Sequence, residues 1–295
     1  MQTEALKAEL AGCASPETLI AAILKHNPDW QAPVPIEAFA QSMGIGEVRD
    51  LAVDDTTAGV TSGLMADIGK TKGVILCAPG LIAQRRRFAI AHQLGHFLLR
   101  AHRGDRQCTN RDLGENRRDT AHRKEEMQAN RFAAGLLMPK PWFAAFVDGL
   151  GKPAVAHLPV IAAAYRVSLD AAASRYADLT PIMCAFLFVK DGILRYARPS
   201  RSFPPLAIRP GDPSPTAGAS GAPTPRSGWQ PAEPRDWIAL SRGQRPPTLT
   251  MQILSKDNGF QLVMLFVNAA AERRADEEEE KSATESPKFG RPRSR

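Results

Sequence analysis

Arg87-Phe88-Ala89-Ile90-Ala91-His92-Gln93-Leu94-Gly95-His96-Phe97-Leu98-Leu99 is the stretch on which the reading of this chain turns. Phe88, Ala91, Leu94 or Gly95, and Leu98 or Leu99 recur at helical spacing and predict a helix from Arg85 to Arg100. His92 and His96 stand four residues apart, so they lie one above the other on a single face of it. That offers two imidazoles to one metal ion. Two histidines alone are not a site, and a third ligand decides.

The next helical pattern runs from His122 to Met138 and stops at Pro139, which cannot continue a helix. Glu126, Asn130 and Ala133 share one face of it. A carboxylate there can point at the histidine helix while small alanines permit close approach. Two histidines plus one glutamate, with the fourth position open, is a known catalytic zinc arrangement. In the H-E-x-x-H signature, the residue after the first histidine is a glutamate that takes a proton from water. Here that residue is Gln93. An amide can hydrogen-bond a water but cannot accept its proton at neutral pH. Position 93 therefore admits three readings: a loss of activity, a substitution that traps an inactive form, or a variant with weak turnover.

The two stretches together, R-R-F-x-I-A-H-x-L-G-H-F-L-L and, some thirty residues on, E-x-x-A-N-R-F-A-A-x-L-L-M-P, resemble the ImmA/IrrE family of metallopeptidases. The resemblance covers roughly Pro35 to Leu179. It implies an α+β fold: a zincin-like metallopeptidase domain, gluzincin-like in its ligands, then a helical extension of helix-turn-helix character. By that resemblance His92, His96 and Glu126 would hold zinc, and Gln93 occupies the position of the catalytic glutamate. It also implies endopeptidase action on a helix-turn-helix repressor of stress-response or mobile-element genes. The alternative is a catalytically inactive pseudo-peptidase that keeps the zinc and sequesters a regulatory partner.

Weaker candidates surround this core. Cys108 and His102 fall in the polar stretch Ala101 to Ala121, read as a long loop or lid, from which either could visit the open metal position as an inhibitory ligand. Tyr165 and Tyr176 could donate to an oxyanion, although ring packing is the simpler role. His26 reads as a helix-end residue and His157 as a helix N-terminal or loop residue. Arg85-Arg86-Arg87 reads as a solvated helix entrance.

The 295 residues suffice for one large core or two modest ones. The formal charge of +7 makes an acidic or nucleic-acid partner thinkable, but the charge is dispersed and no aromatic-plus-basic stripe accompanies it. Direct DNA binding through Val160 to Tyr176 is disfavoured, since the second helix offers only Arg175 as a long basic side chain. No apolar run approaches the ~20 residues of a membrane span. Cys13, Cys77, Cys108 and Cys184 are scattered and form no C-x-x-C pair. With a charged N-terminus in place of a signal peptide, these features favour the cytoplasm.

Along the chain, residues 1–34 form an N-terminal helical segment, with Ser15 as N-cap and Pro16 opening a helix to Leu24. Residues 35–150 form the peptidase-like domain. It begins with a helix at Pro35 to Met43, then strands at Gly59 to Ala66 and Gly73 to Cys77. Residues 151–180 carry helices at Ala154 to Tyr165 and Ser168 to Leu179. Residues 181–270 read as β-rich, with strands at Met183 to Val189, Ile193 to Ala197, Trp237 to Leu240, Thr248 to Leu254 and Phe260 to Val267. Residues 198–234, dense in Pro, Gly and Ser, read as a flexible insertion, and 271–295 as a disordered tail.

Overall fold

The computed structural model describes residues 2–52, 59–102, 104–109, 121–216, 226–256 and 258–267. The expected tail at 271–295 lies outside them. The chain divides into two compact units, one of Met1–Gly151 with His157–Arg175, the other of Lys152–Ala156 with Tyr176–Arg295. The architecture is mixed α+β, with one sheet in each unit.

In the first unit, α1 (Gln2–Leu10), α2 (Pro16–His26) and α3 (Ile36–Met43) lead into the sheet. Ser15 caps α2 by accepting from the Thr18 amide, while the Thr18 hydroxyl accepts from the Ser15 amide. Helix α3 stops at Gly44, whose φ of +115° and a Thr71 carbonyl oxygen only 2.4 Å from where a Cβ would stand admit no other residue cheaply. The strands are β1 (Ile45–Asp50), β2 (Val60–Ala66), β3 (Gly73–Cys77) and β4 (Arg106–Thr109), in the order β1-β3-β2-β4. The expected hairpin is β2 and β3, paired antiparallel with Leu64 opposite Ile75. Strand β1, which no alternation marked, runs parallel to β3.

The polar stretch read as a loop contains β4, paired antiparallel to β2 with Cys108 opposite Ser62. Backbone pairing forms this strand, and four residues suffice because Cys108 is buried while Gln107 faces out. Helices α4 (Ala83–Leu98) and α5 (Ala121–Leu137) pack directly on one another. Gly95 makes this possible: a Cβ there would stand 3.0 Å from Phe132 Cδ1 and 3.3 Å from the Ala129 Cα. Pro139 ends α5 as expected, but a further helix, α6 (Lys140–Gly149), follows at once. Helices α7 (His157–Tyr165) and α8 (Leu169–Leu179) flank a turn in which Arg166 takes a φ of +50°.

The second unit is built on an antiparallel sheet of β5 (Cys184–Lys190), β6 (Ile193–Pro199), β7 (Arg226–Pro231), β8 (Leu249–Lys256) and β9 (Phe260–Val267), ordered β6-β5-β9-β8-β7. Asp191 and Gly192, at φ +52° and +75°, make the expected tight turn between β5 and β6. Two expectations fail here. Trp237 to Leu240 is not a strand. Pro234 instead opens the short helix α9 (Pro234–Trp237), and the Trp237 ring enters a core with Leu187, Leu194, Val263 and Leu265. The stretch read as a flexible insertion is also structured where described. Phe203 joins that core, Leu206 bridges to Ile238, Ile193 bridges to Pro213, and β7 adds an edge strand.

Candidate metal centre

Stacking on successive turns of α4 brings His92 and His96 to the face that meets α5, and both are fully buried. Glu126 projects from α5 into the same space at 4% exposure. His92 Nε2 lies 3.1 Å from His96 Nε2 and 3.1 Å from Glu126 Oε2, and His96 Nε2 lies 3.4 Å from Glu126 Oε1. Strand β4 supplies a fourth donor, the Cys108 sulfur, 3.9 Å from His96 Nε2 and 3.8 Å from Glu126 Oε1. Four donor atoms thus converge within 4.8 Å of one another in a buried pocket.

The hydrogen bonds behind this cluster set which way its lone pairs point. The Asn130 side-chain oxygen accepts from His92 Nδ1 at 2.9 Å, which leaves His92 Nε2 bare toward the cluster. His96 Nδ1 stands 2.9 Å from His102 Nδ1 and 3.1 Å from Arg106 Nη1, and His102 Nε2 stands 2.9 Å from Gln128 Oε1. An ion on His96 Nε2 would leave the ring proton on Nδ1, directed at His102. Arg106, which can only donate, gives its bond to Glu126 Oε1 at 2.9 Å and pairs with Glu125 through its other nitrogen. His102 therefore stands behind His96 and not at an open metal position.

Electrostatics agree with that polarity. Burial pulls the His96 imidazole down to about 3, so it is neutral at neutral pH. Burial alone would raise the Glu126 carboxyl, but its contacts with His92 and His96 outweigh it and leave the group well below the usual carboxylate range. Neutral imidazoles and an ionised carboxylate are the forms that bind metal. Glu126 Oε2 is buried and has no hydrogen-bond partner of proper geometry. A buried carboxylate oxygen without a hydrogen-bond partner, 3.1 Å from a buried imidazole nitrogen, is a place that a cation would stabilise. The donor set fits a metal ion.

Gln93 occupies the next position along α4, fully buried, and its side-chain amide donates to the Ser62 hydroxyl of β2 at 2.9 Å. Its carbonyl oxygen is buried without a hydrogen-bond partner. Lys70, in the β2–β3 turn, reaches the C-terminal end of α4 and donates to the His96 and Leu99 carbonyls at 2.7 Å each.

Residues 50–176 match the model of the IrrE N-terminal-like domain, Peptidase_M78. This IrrE-like segment contains every residue of the cluster and both helices that carry it. No curated protein matches the chain.

The other sequence candidates stand elsewhere. Tyr165 packs against Phe143 and Phe146, and Tyr176 against Phe186, so both rings serve packing. His26 pairs with Glu9 at 2.8 Å and His157 is buried at the start of α7. Of the arginine run, Arg86 pairs with Asp50 and Arg87 donates to the Val34 carbonyl. Arg106, Ser62 and Lys70 were missed, because they come from strands and a turn where no helical period marks a shared face. Among the described residues, no helix is long and apolar enough to cross a membrane.

Proposed function

We propose that this chain is a member of the ImmA/IrrE family, a zinc-dependent metallo-endopeptidase-type protein whose catalysis is strongly weakened by Gln93. Its target on this reading is a helix-turn-helix transcriptional repressor, met in the cytoplasm. The observation that carries the proposal is the buried convergence of His92, His96 and Glu126 from α4 and α5. A tetrahedral ion bound at about 2.0–2.1 Å by nitrogen and oxygen holds its donors about 3.3 Å apart. The observed separations of 3.1, 3.1 and 3.4 Å support a metal ion among these donors, and the family likeness of residues 50–176 points to zinc.

When bound, zinc supplies Lewis acidity that polarises a carbonyl. The chain's own residues do the rest. Asn130 and His102 orient the imidazoles, while Arg106 holds Glu126 in place. Burial excludes bulk water from the donors. Gln93 can orient a water through its free carbonyl oxygen, yet it takes no proton, and the missing base costs on the order of 10²–10⁴ in rate.

A second reading, a silent zinc protein that captures its partner without cutting it, is favoured by one observation. The Gln93 amide is held by Ser62, as a built-in part of the fold. The test of the metal reading is the zinc content of the purified chain. About one zinc per chain is expected, with sharp loss in His92→Ala, His96→Ala or Glu126→Ala. Full retention in the His92→Ala/His96→Ala double variant overturns the assignment.

A further inference from the structure

We propose that Cys108 is the fourth ligand of this centre, so that the metal is closed in a His92, His96, Glu126, Cys108 cage with no position left for substrate. The inference rests on the zinc reading above and adds to it a ligand that leaves the three-ligand peptidase arrangement. Three observations carry it. The first is distance. An ion with a sulfur ligand at about 2.3 Å and nitrogen or oxygen ligands near 2.0 Å separates the sulfur from those atoms by about 3.6 Å. Cys108 Sγ stands 3.9 Å from His96 Nε2 and 3.8 Å from Glu126 Oε1, close to that edge, and within 4.8 Å of every other donor.

The second observation is the way the residue is held. Cys108 is fully buried, and its place on β4 opposite Ser62 points it inward while Gln107 points out. Register, and not the wandering of a loop, sets its direction. Arg106, two residues earlier on the same face of β4, binds the ligand carboxylate, so the strand grips the centre at two points. The third is Glu126 Oε2, which is buried without a hydrogen-bond partner 3.1 Å from His92 Nε2, as a cation bound between the donors would explain. On binding, the thiol proton leaves to solvent and the thiolate sulfur forms the bond to the metal; nothing is oxidised or reduced.

Four protein ligands are the mark of a structural zinc site, three plus an open position that of a catalytic one. A closed cage and a glutamine at position 93 are mutually consistent: one removes the binding position for a peptide carbonyl, the other the base. Reopening the site requires the sulfur to leave.

The experiment is spectroscopic and uses the whole chain. Loaded with one equivalent of Co²⁺, the protein should show an intense thiolate-to-cobalt charge-transfer band in the near ultraviolet. Cys108→Ser should lose that band while Cys13, Cys77 and Cys184 remain, and should still bind the ion through His92, His96 and Glu126. Should that variant not fold, X-ray absorption on the zinc-loaded parent decides the same point: one sulfur at about 2.3 Å supports the cage. Stoichiometric metal with only nitrogen and oxygen neighbours, or a band that survives Cys108→Ser, overturns the fourth ligand and leaves the zinc reading standing. Failure to bind either metal overturns both.

Discussion

At the scale of single residues, position 93 separates metal binding from proton transfer. Gln93→Glu is nearly isosteric, keeps Ser62 as a neighbour, and returns an ionisable base beside three ligands it does not touch. Combined with Cys108→Ser, which opens the fourth position, it should raise chelator-sensitive cleavage of a cognate helix-turn-helix repressor by on the order of 10² or more. With Cys108 in place the gain should be absent. Peptide release assays on the parent, the single and the double variant check both steps, and brisk cleavage by the Gln93 form would show that another base serves. His92, His96 and Glu126 were readable from sequence because a helix converts spacing into a shared face. Cys108 was within view only as a loop residue, and Arg106 and Ser62 were not seen at all. Their positions depend on which strands pair, which no local pattern in Arg106–Thr109 reveals.

Among the elements, the contact between α4 and α5 leaves little room for a side chain at position 95. Gly95→Ala would gain up to about 1 kcal/mol in helix propensity. It would also press a methyl against the Phe132 ring and the Ala129 backbone, for a cost of about 1–3 kcal/mol. Net destabilisation and weaker metal binding are expected, read by thermal unfolding and metal titration. Strand β5 carries a pH signature of its own. Burial pushes the Cys184 thiol up to about 12 from its ordinary 9.0. The folded state keeps that proton while the unfolded chain loses it, so stability falls as pH rises from about 9 towards 12. Cys184→Ala should flatten the alkaline limb of a plot of Tm against pH. The hairpins β2–β3 and β5–β6 were legible because turn residues bracket apolar runs. Strand β1 was not, since most of Ile45–Asp50 is exposed and its partner lies beyond β2 in the chain. Trp237 misled as a strand residue because a large aromatic signals β structure more strongly than one preceding proline signals a four-residue helix.

For the molecule as a whole, two compact units and a candidate metal centre in the first of them make a calorimetric prediction. Only the unit of Met1–Gly151 and His157–Arg175 contains the donors, so only its transition should respond to chelation. With zinc at a thousandfold over Kd, binding contributes about 4 kcal/mol, a shift on the order of 10 °C for a unit of this size. The transition of the β-rich unit should stay in place, and Trp237→Ala should lower it alone, at a cost of about 3–5 kcal/mol. A single transition that moves as one with chelator would contradict independent cores. The second core was underestimated from sequence because residues 198–234 look too polar to pack. Phe203, Leu206 and Ile208 are few, but a short chain segment needs few anchors when its partners are already in a sheet.

The Lys70 ammonium ties the β2–β3 turn to the last carbonyls of α4, one of them belonging to His96. Viewed as kinetics, that tie is a latch on ion residence time. Loosening the end of α4 to release a bound ion would have to break bonds made from a different element. Lys70→Met keeps most of the side chain's bulk and removes the latch, leaving both carbonyls without their ammonium donor. Transfer of zinc to a fast chelator should then quicken in stopped-flow traces, even where equilibrium affinity changes little. On the metal reading, the hairpin's turn would set how long an ion stays.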